Sequence, residues 1–420
     1  MVSGSHRRLV KLGAIAISAA LLTACSTGKD AAGGGDTNIR MLVNITPVLT
    51  KQVYEDLVAG YVASHPGVKV TIEAPTGRGI EDTLKQQLAA GSPPDILAGG
   101  QNTALAEQME PLPDEQWVKD APFSQASKLG GKVWMAGTGV QIQSLVFYNK
   151  AAFAKAGVTG TPKTVDEFTA ALRKLKGAGY TPLQTGGEWT TGAQALMMAN
   201  PNVMNTEPQW YAKRNKGSVT FAGSNYAKYL GVYQSWIKDG LVPKDANGIK
   251  YQDMINNFTA GKSATMVMGN WLAASLAEAK PGIDAGVFPV PTFDGSTPPQ
   301  AGNPAMPYSV LKSSRHADAA IDLVKYLVSD KKAITKALSA EGNFRTGYSY
   351  EASPLTKDIA KLLDEAGGKT VAIGPGLGDN SSPSGFPAEF NTQVQSMYLG
   401  TTADQVAGAM DKWWAANAPK

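Results

Sequence analysis

Cysteine is nearly absent: one residue, Cys25, stands in a chain of 420. A disulfide within the chain is therefore excluded, and a cysteine-rich metal site with it. Histidine is almost as scarce, with three residues. Of these His65 and His316 lie far apart and form no ligand-spaced pair, so no metal is expected. A G-x-S-x-G elbow, an H-E-x-x-H helix and a Walker A loop are all missing. The cluster Gly374-Pro375-Gly376-Leu377-Gly378 lacks dinucleotide-binding spacing and reads as a turn. The acid pairs Glu81-Asp82 and Asp114-Glu115 sit beside turn residues and read as solvated. Two distant carboxylates can still meet in a fold, which leaves a secreted glycoside hydrolase as a distant alternative to a protein that is not an enzyme. No cofactor is required. Charge is sparse as well, at 18% of residues, with 39 lysines and arginines against 35 acids. Three of the four surplus positive charges (Arg7, Arg8 and Lys11) lie in a segment expected to be removed, leaving roughly +1. Phosphate neutralisation needs a concentrated basic face, so a nucleic-acid partner is not expected.

A long hydrophobic run is also missing. The apolar stretch Leu12 to Leu22 falls short of the roughly 20 residues that span a bilayer. Preceded by Arg7, Arg8 and Lys11 and followed by Leu22-Thr23-Ala24-Cys25, it has the build of an export signal. The stretch resembles the bacterial lipobox, whose cysteine is diacylated and becomes the mature N-terminus. Residues 1–24 then read as a lipoprotein signal peptide, and 25–36 as the lipidated Cys25 with a flexible Gly-rich tether. The expected location is the extracellular face of the cell membrane, or its periplasmic side where an outer membrane is present. The Arg7-Arg8 pair leaves twin-arginine export open beside the general route.

What is present is an ordinary globular composition, 43% hydrophobic, long enough for two domains. Ile39 to Ile45 is β-rich. Thr50 can cap a helix carrying Val53, Leu57, Val58 and Tyr61 on one face. Val68 to Ile72 alternates as a strand, Ile80, Leu84 and Leu88 mark a helix, and Asp95 to Leu97 a short strand. Strand, helix, strand, helix, strand predicts an α/β unit with parallel pairing. Further strands are predicted at Leu145–Tyr148, Thr265–Met268 and Val287–Val290. Thr164 and Glu167 have capping-box spacing ahead of the apolar face Val165, Phe168, Leu172 and Leu175. Ala320 to Ala340 reads as one long helix. Thr402 with Gln405 opens a last helix carrying Val406, Met410 and Trp414.

Three segments in order resemble the family 1 extracellular solute-binding proteins, the maltose-binding type among them. They are Pro94-Asp95-Ile96-Leu97; Tyr148-Asn149-Lys150 continuing through Phe153, Gly157, Pro162 and Asp166-Glu167-Phe168; and Phe258-Thr259-Ala260-Gly261-Lys262-Ser263-Ala264-Thr265-Met266 with Gly269-Asn270-Trp271. The resemblance implies a two-lobed periplasmic-binding-protein-like α/β fold of type II. Each lobe would be a mainly parallel sheet flanked by helices, with the ligand cleft at the hinge. By analogy lobe one takes 37–140 and 283–335, and lobe two 141–282 and 336–420. The implied function is the substrate-binding component of an ABC importer, closing on a sugar or oligosaccharide and delivering it to the permease transmembrane subunits. A monomer is implied. A binder of peptide, polyamine or another polar solute is the alternative.

A sugar offers C–H patches on its faces and hydroxyls at its edges, so its site needs planar side chains and amide or carboxylate groups. Trp271 stands where the family motif carries a ring-stacking Trp, with filling of the lobe-two core as the bland alternative. Glu188 and Trp189 lie in the Gly-rich stretch 185–192, where the family places a ligand-contacting loop. Gln101 and Asn102 follow the strand from which lobe one reaches its ligand. Gln141 sits in the crossover before Tyr148, where a solvated hinge amide is the other reading. Asn303 and Phe386 complete the expected set; the maltose-binding type carries a Trp about where Pro387 is, so Phe386 replaces it only in part. Trp413 and Trp414 read as packing.

Overall fold

A computed structural model describes residues 37–76, 79–99, 103–279, 282–297, 300–366, 370–372 and 376–418. Cys25, Gln101 and Asn102 lie outside the described residues. The first elements are β1 (Thr37–Val43), α1 (Lys51–Ser64), β2 (Val68–Glu73), α2 (Ile80–Ala89), β3 (Ile96–Ala98) and β4 (Met109–Glu110), followed by α3 (Gln116–Lys119). Then come β5 (Gly139–Gln143), β6 (Leu145–Asn149), α4 (Lys150–Lys155), α5 (Val165–Gly177), β7 (Thr181–Gln184), α6 (Thr190–Met204) and α7 (Trp210–Asn215). They continue with α8 (Asn225–Lys238), α9 (Tyr251–Thr259), β8 (Ser263–Met268), α10 (Trp271–Glu278), β9 (Ala285–Pro289), β10 (Gln300–Ala305) and β11 (Tyr308–Leu311). The chain closes with α11 (Ala317–Ser329), α12 (Lys331–Glu341), α13 (Pro354–Glu365), β12 (Thr370–Ala372), a short ribbon, α14 (Phe386–Ser396) and α15 (Ala403–Asn417).

Local chemistry places several of these. The Thr164 hydroxyl accepts from the Glu167 backbone N–H at 3.1 Å while Glu167 accepts from the backbone of Thr164 and Lys163, closing the predicted capping box of α5. Thr402 and Gln405 do the same for α15. The expected single helix over 320–340 is two. Asp330 adopts an extended backbone and its carboxylate accepts from the backbone N–H of Lys332 and Ala333, both at 2.9 Å. It thus ends α11 and caps α12, which the apolar spacing alone does not reveal.

Two larger sheets result. The first runs β2-β1-β3-β11-β4, with β1 parallel to β2 and β3, and β11 antiparallel to β3 and β4. The second runs β7-β8-β6-β9 and is mixed: only β7 and β8 are parallel, so the expectation of mainly parallel pairing does not extend to it. The physical reason is the path of the chain. β6 and β11 both enter a sheet from a crossing segment, and so run against strands that reach the sheet through a helix. Ile39, Met41, Tyr54, Leu57, Tyr308, Leu323 and Leu327 build one apolar core around the first sheet. Phe147, Phe168, Leu172, Trp236, Met266, Val406 and Trp414 belong to another around the second. Each such aliphatic or aromatic side chain contributes about 1.5–3 kcal/mol on burial.

Three stretches pass between the two cores. β5 leads from the first sheet into β6 through Ser144, whose backbone is left-handed at φ 59°. β10 runs antiparallel to β5, pairing Asn303 with Gln141, and leads into β11. After α12, Phe344 bridges to Val140 on β5 and the chain continues to α13. Neighbouring crossings of this kind are the geometry of a hinge.

Candidate functional site

β5 and the C-terminal end of β8 meet at the turn that leads into Trp271. Open α/β sheets present their ligands at strand carboxyl ends, because helix starts and unpaired backbone groups gather there. β8 ends at Met268, and Gly269-Asn270 leads into α10, of which Trp271 is the first residue. Gly269 has no side chain for a direct reason: a Cβ there would collide with the six-membered ring of Trp271, whose indole folds back over the backbone. Asn270 holds the turn. Its backbone N–H donates to Ile142 on β5 at 2.9 Å, and its side-chain amide donates to the carbonyls of Glu341 (3.0 Å) and Gly342 (2.8 Å) and to Asn343 Oδ1 (2.9 Å). Trp271 itself is half-buried beside the second core.

Tyr251, the first residue of α9, joins the two expected tryptophans. Its ring lies 5.1 Å from that of Trp189 at 44°. Burial pushes the Tyr251 phenol up, and a hydrogen bond with the Trp271 side chain partly offsets that. Trp189 is 44% exposed, one of few large apolar side chains presented to solvent. A broad aromatic face with a wet edge is what a polyol ring stacks upon. Tyr251 carried no signal in the sequence, since its role comes from neighbours far along the chain.

The Gly-rich stretch 185–192 is only partly a loop, because α6 begins at Thr190. Gly187 is pressed against the carbonyl of Asn247, and Gly192 against the backbone of Asn391, so neither tolerates a Cβ. Glu188 takes a left-handed backbone at φ 53°, held by Asn391 and Gln395 amides that donate to its carbonyl at 2.6 and 3.1 Å. Its carboxylate accepts from the Tyr251 backbone N–H at 3.0 Å. Glu188 therefore orients Tyr251 and, through it, the aromatic face.

Gln141 is half-buried on β5, its side-chain carbonyl accepting from Gln143 at 3.3 Å. Asn303, 3% exposed, is its cross-strand partner. Phe386 lies elsewhere. It is 0% exposed, with ring centroids of Trp414 at 5.1 Å, Phe390 at 5.7 Å and Tyr211 at 5.9 Å. With no face left for a solute, Phe386 is part of the second core. Trp414 is wholly buried, as its helical spacing suggests.

Glu341, which the sequence presents only as the end of an apolar helix, is 5% exposed. Burial pushes its carboxyl up to about 7, and the hydrogen bond from the Asn343 side chain only partly opposes the shift. Among the described residues no group of histidine, cysteine and acids is arranged to hold a metal. Nor is any helix among them long and apolar enough to cross a membrane.

Residues 46–334 match the family model described as bacterial extracellular solute-binding protein. Over 323 residues the chain is 23% identical to the melibiose/raffinose/stachyose-binding protein MelE of Bacillus subtilis (strain 168), covering 74% of this chain and 75% of that one. It is 26% identical over 341 residues to a maltooligosaccharide ABC transporter solute-binding lipoprotein of Streptococcus pneumoniae, covering 76% of each. A solved chitin oligosaccharide binding protein superposes with a TM-score of 0.76 at 22% identity, covering 91% of this chain and all of that one.

Proposed function

Because the chain belongs to the bacterial extracellular solute-binding proteins, we propose that the Trp189–Tyr251–Trp271 face is where it takes a neutral oligosaccharide for an ABC importer. The relatives it matches carry sugar-binding names, and its own structure supports the narrower reading through one observation. Three aromatic side chains from separate segments meet beside the segments that cross between the cores. Gln141 and Asn303 on the crossing strands supply amides toward hydroxyl edges, and Gln101 and Asn102, outside the described residues, belong to the same proposal. Stacking that removes about 100 Å² of apolar surface contributes roughly 2.5 kcal/mol. Micromolar binding amounts to about 8 kcal/mol, within reach of two such stacks and several hydrogen bonds.

In this reading the two cores are hinged lobes that close on the solute, the contacts of the closed form driving the motion. Of the expected ranges, 37–140 with 283–335 and 141–282 with 336–420, one bound moves: β9 hydrogen-bonds into the second sheet, so lobe one resumes at β10 rather than at 283. The closed protein delivers its solute to the permease as a monomer, tethered by lipid on Cys25, and performs no chemistry on it.

Calorimetry with maltotriose and raffinose tests the site. Trp271→Ala weakens binding tenfold or more, about 1.4 kcal/mol, with the thermal unfolding profile retained. An unchanged affinity removes Trp271 from the site. Stabilisation by spermidine or an oligopeptide in a thermal-shift screen, with no response to any carbohydrate, overturns the sugar reading.

A further inference from the structure

The connection between α12 and α13 holds a buried acid with no cation beside it. Glu341 ends α12, and no lysine, arginine or histidine among the described residues lies within ion-pair distance of it. Among the described residues its one side-chain partner is Asn343, wholly buried, whose amide donates to Glu341 Oε2 at 3.1 Å. The other end of the same amide accepts from Asn270 at 2.9 Å, and Asn270 immediately precedes Trp271. A continuous line of hydrogen bonds thus runs from a carboxyl to the residue that sets the indole. Asn270 also draws on the backbone carbonyls of Glu341 and Gly342, so the 341–343 turn is its principal support.

We propose that Glu341 is a positioning residue for Trp271, holding the start of α10 in its binding geometry while its carboxyl is neutral and releasing it on ionisation. A neutral carboxyl satisfied by an amide is tolerable in a buried site. An ionised one without a counter-charge carries a desolvation cost that is relieved only by moving toward water. The turn that would move carries three acceptors of the Asn270 amide, so the displacement reaches Trp271. The groups that face Glu341 do not neutralise it. They are phenols: Tyr54 on α1, Tyr308 on β11 and Tyr251 on α9, each pushed further up by its proximity. The Tyr308 hydroxyl, wholly buried, has no hydrogen-bond partner among the described residues. α10 carries Glu278 as its one ionisable side chain, in its last turn. On α12 itself Lys336 is engaged by Asp56. The ionisation of Glu341 near pH 7 places the change within ordinary growth conditions.

The test needs no solute. Tryptophan fluorescence of the full chain is titrated between about pH 5 and pH 9, and subtraction of a Trp271→Phe variant isolates the one indole. A transition with its midpoint near 7 is expected; it vanishes in Glu341→Gln, and in Asn343→Ala, which loses the hydrogen bond opposing the shift, its midpoint moves up. A flat profile in the parent protein, or a transition that survives in Glu341→Gln, overturns the proposal. A second arm rests on the function proposed above: raffinose and maltotriose bind about fivefold more weakly above the transition than below it, and Glu341→Gln loses that dependence. If neither sugar binds at any pH while the fluorescence transition stands, the sugar reading fails and the positioning role does not.

Discussion

Single residues carry most of what is specific here, and Glu341 shows how far one can depart from its ordinary chemistry. In the unfolded chain its carboxyl ionises near 4.5; in the fold burial holds the proton to about 7. The folded state therefore binds the proton more tightly. Its contribution to stability is fully present below about pH 4.5 and is lost as pH rises toward 7, by about 3 kcal/mol for a shift of this size. Urea unfolding at two pH values checks this. Glu341→Gln is expected to be the more stable protein at pH 8 and to lose that advantage near pH 5. Neither Glu341 nor Tyr251 was legible in the sequence, because burial and the neighbours that give each its role come from distant segments. Trp271 was singled out by its place in the family motif and Trp189 by its Gly-rich surroundings, and the structure brings both against Tyr251.

At the level of elements, short-range chemistry was readable and interruptions were not. The boxes at Thr164 and Thr402 and the strands over 68–72 and 145–148 follow from spacing and side-chain type alone. The division between α11 and α12 does not, because an aspartate within an apolar periodicity is locally as compatible with an exposed helix position as with a cap. α14 is the opposite case: family position suggested a ligand contact for Phe386, whereas packing of α14 against α15 and α6 commits that ring to the core. Phe386→Ala is expected to cost about 3–5 kcal/mol of stability. Carbohydrate affinity measured by calorimetry on the folded fraction should be unchanged, and a selective loss of affinity would return Phe386 to the site.

For the whole molecule, the alternation of strands and helices foretold an α/β architecture, and the order of three short motifs foretold its kinship. The mixed pairing of the second sheet escaped, since strand direction depends on where the chain crosses between cores. If the crossings act as a hinge, X-ray scattering of the chain should show a smaller radius of gyration with saturating oligosaccharide than without, a change absent from Trp271→Ala at the same concentration.

The interleaving of the two cores also has a consequence for biogenesis. The leading sheet opens with β1 at residue 37 but is incomplete until β11, and its cover until α11 and α12, so about three quarters of the polypeptide must be made before the first half has its partners. A nascent chain built this way cannot complete its leading core until most of it has been synthesised.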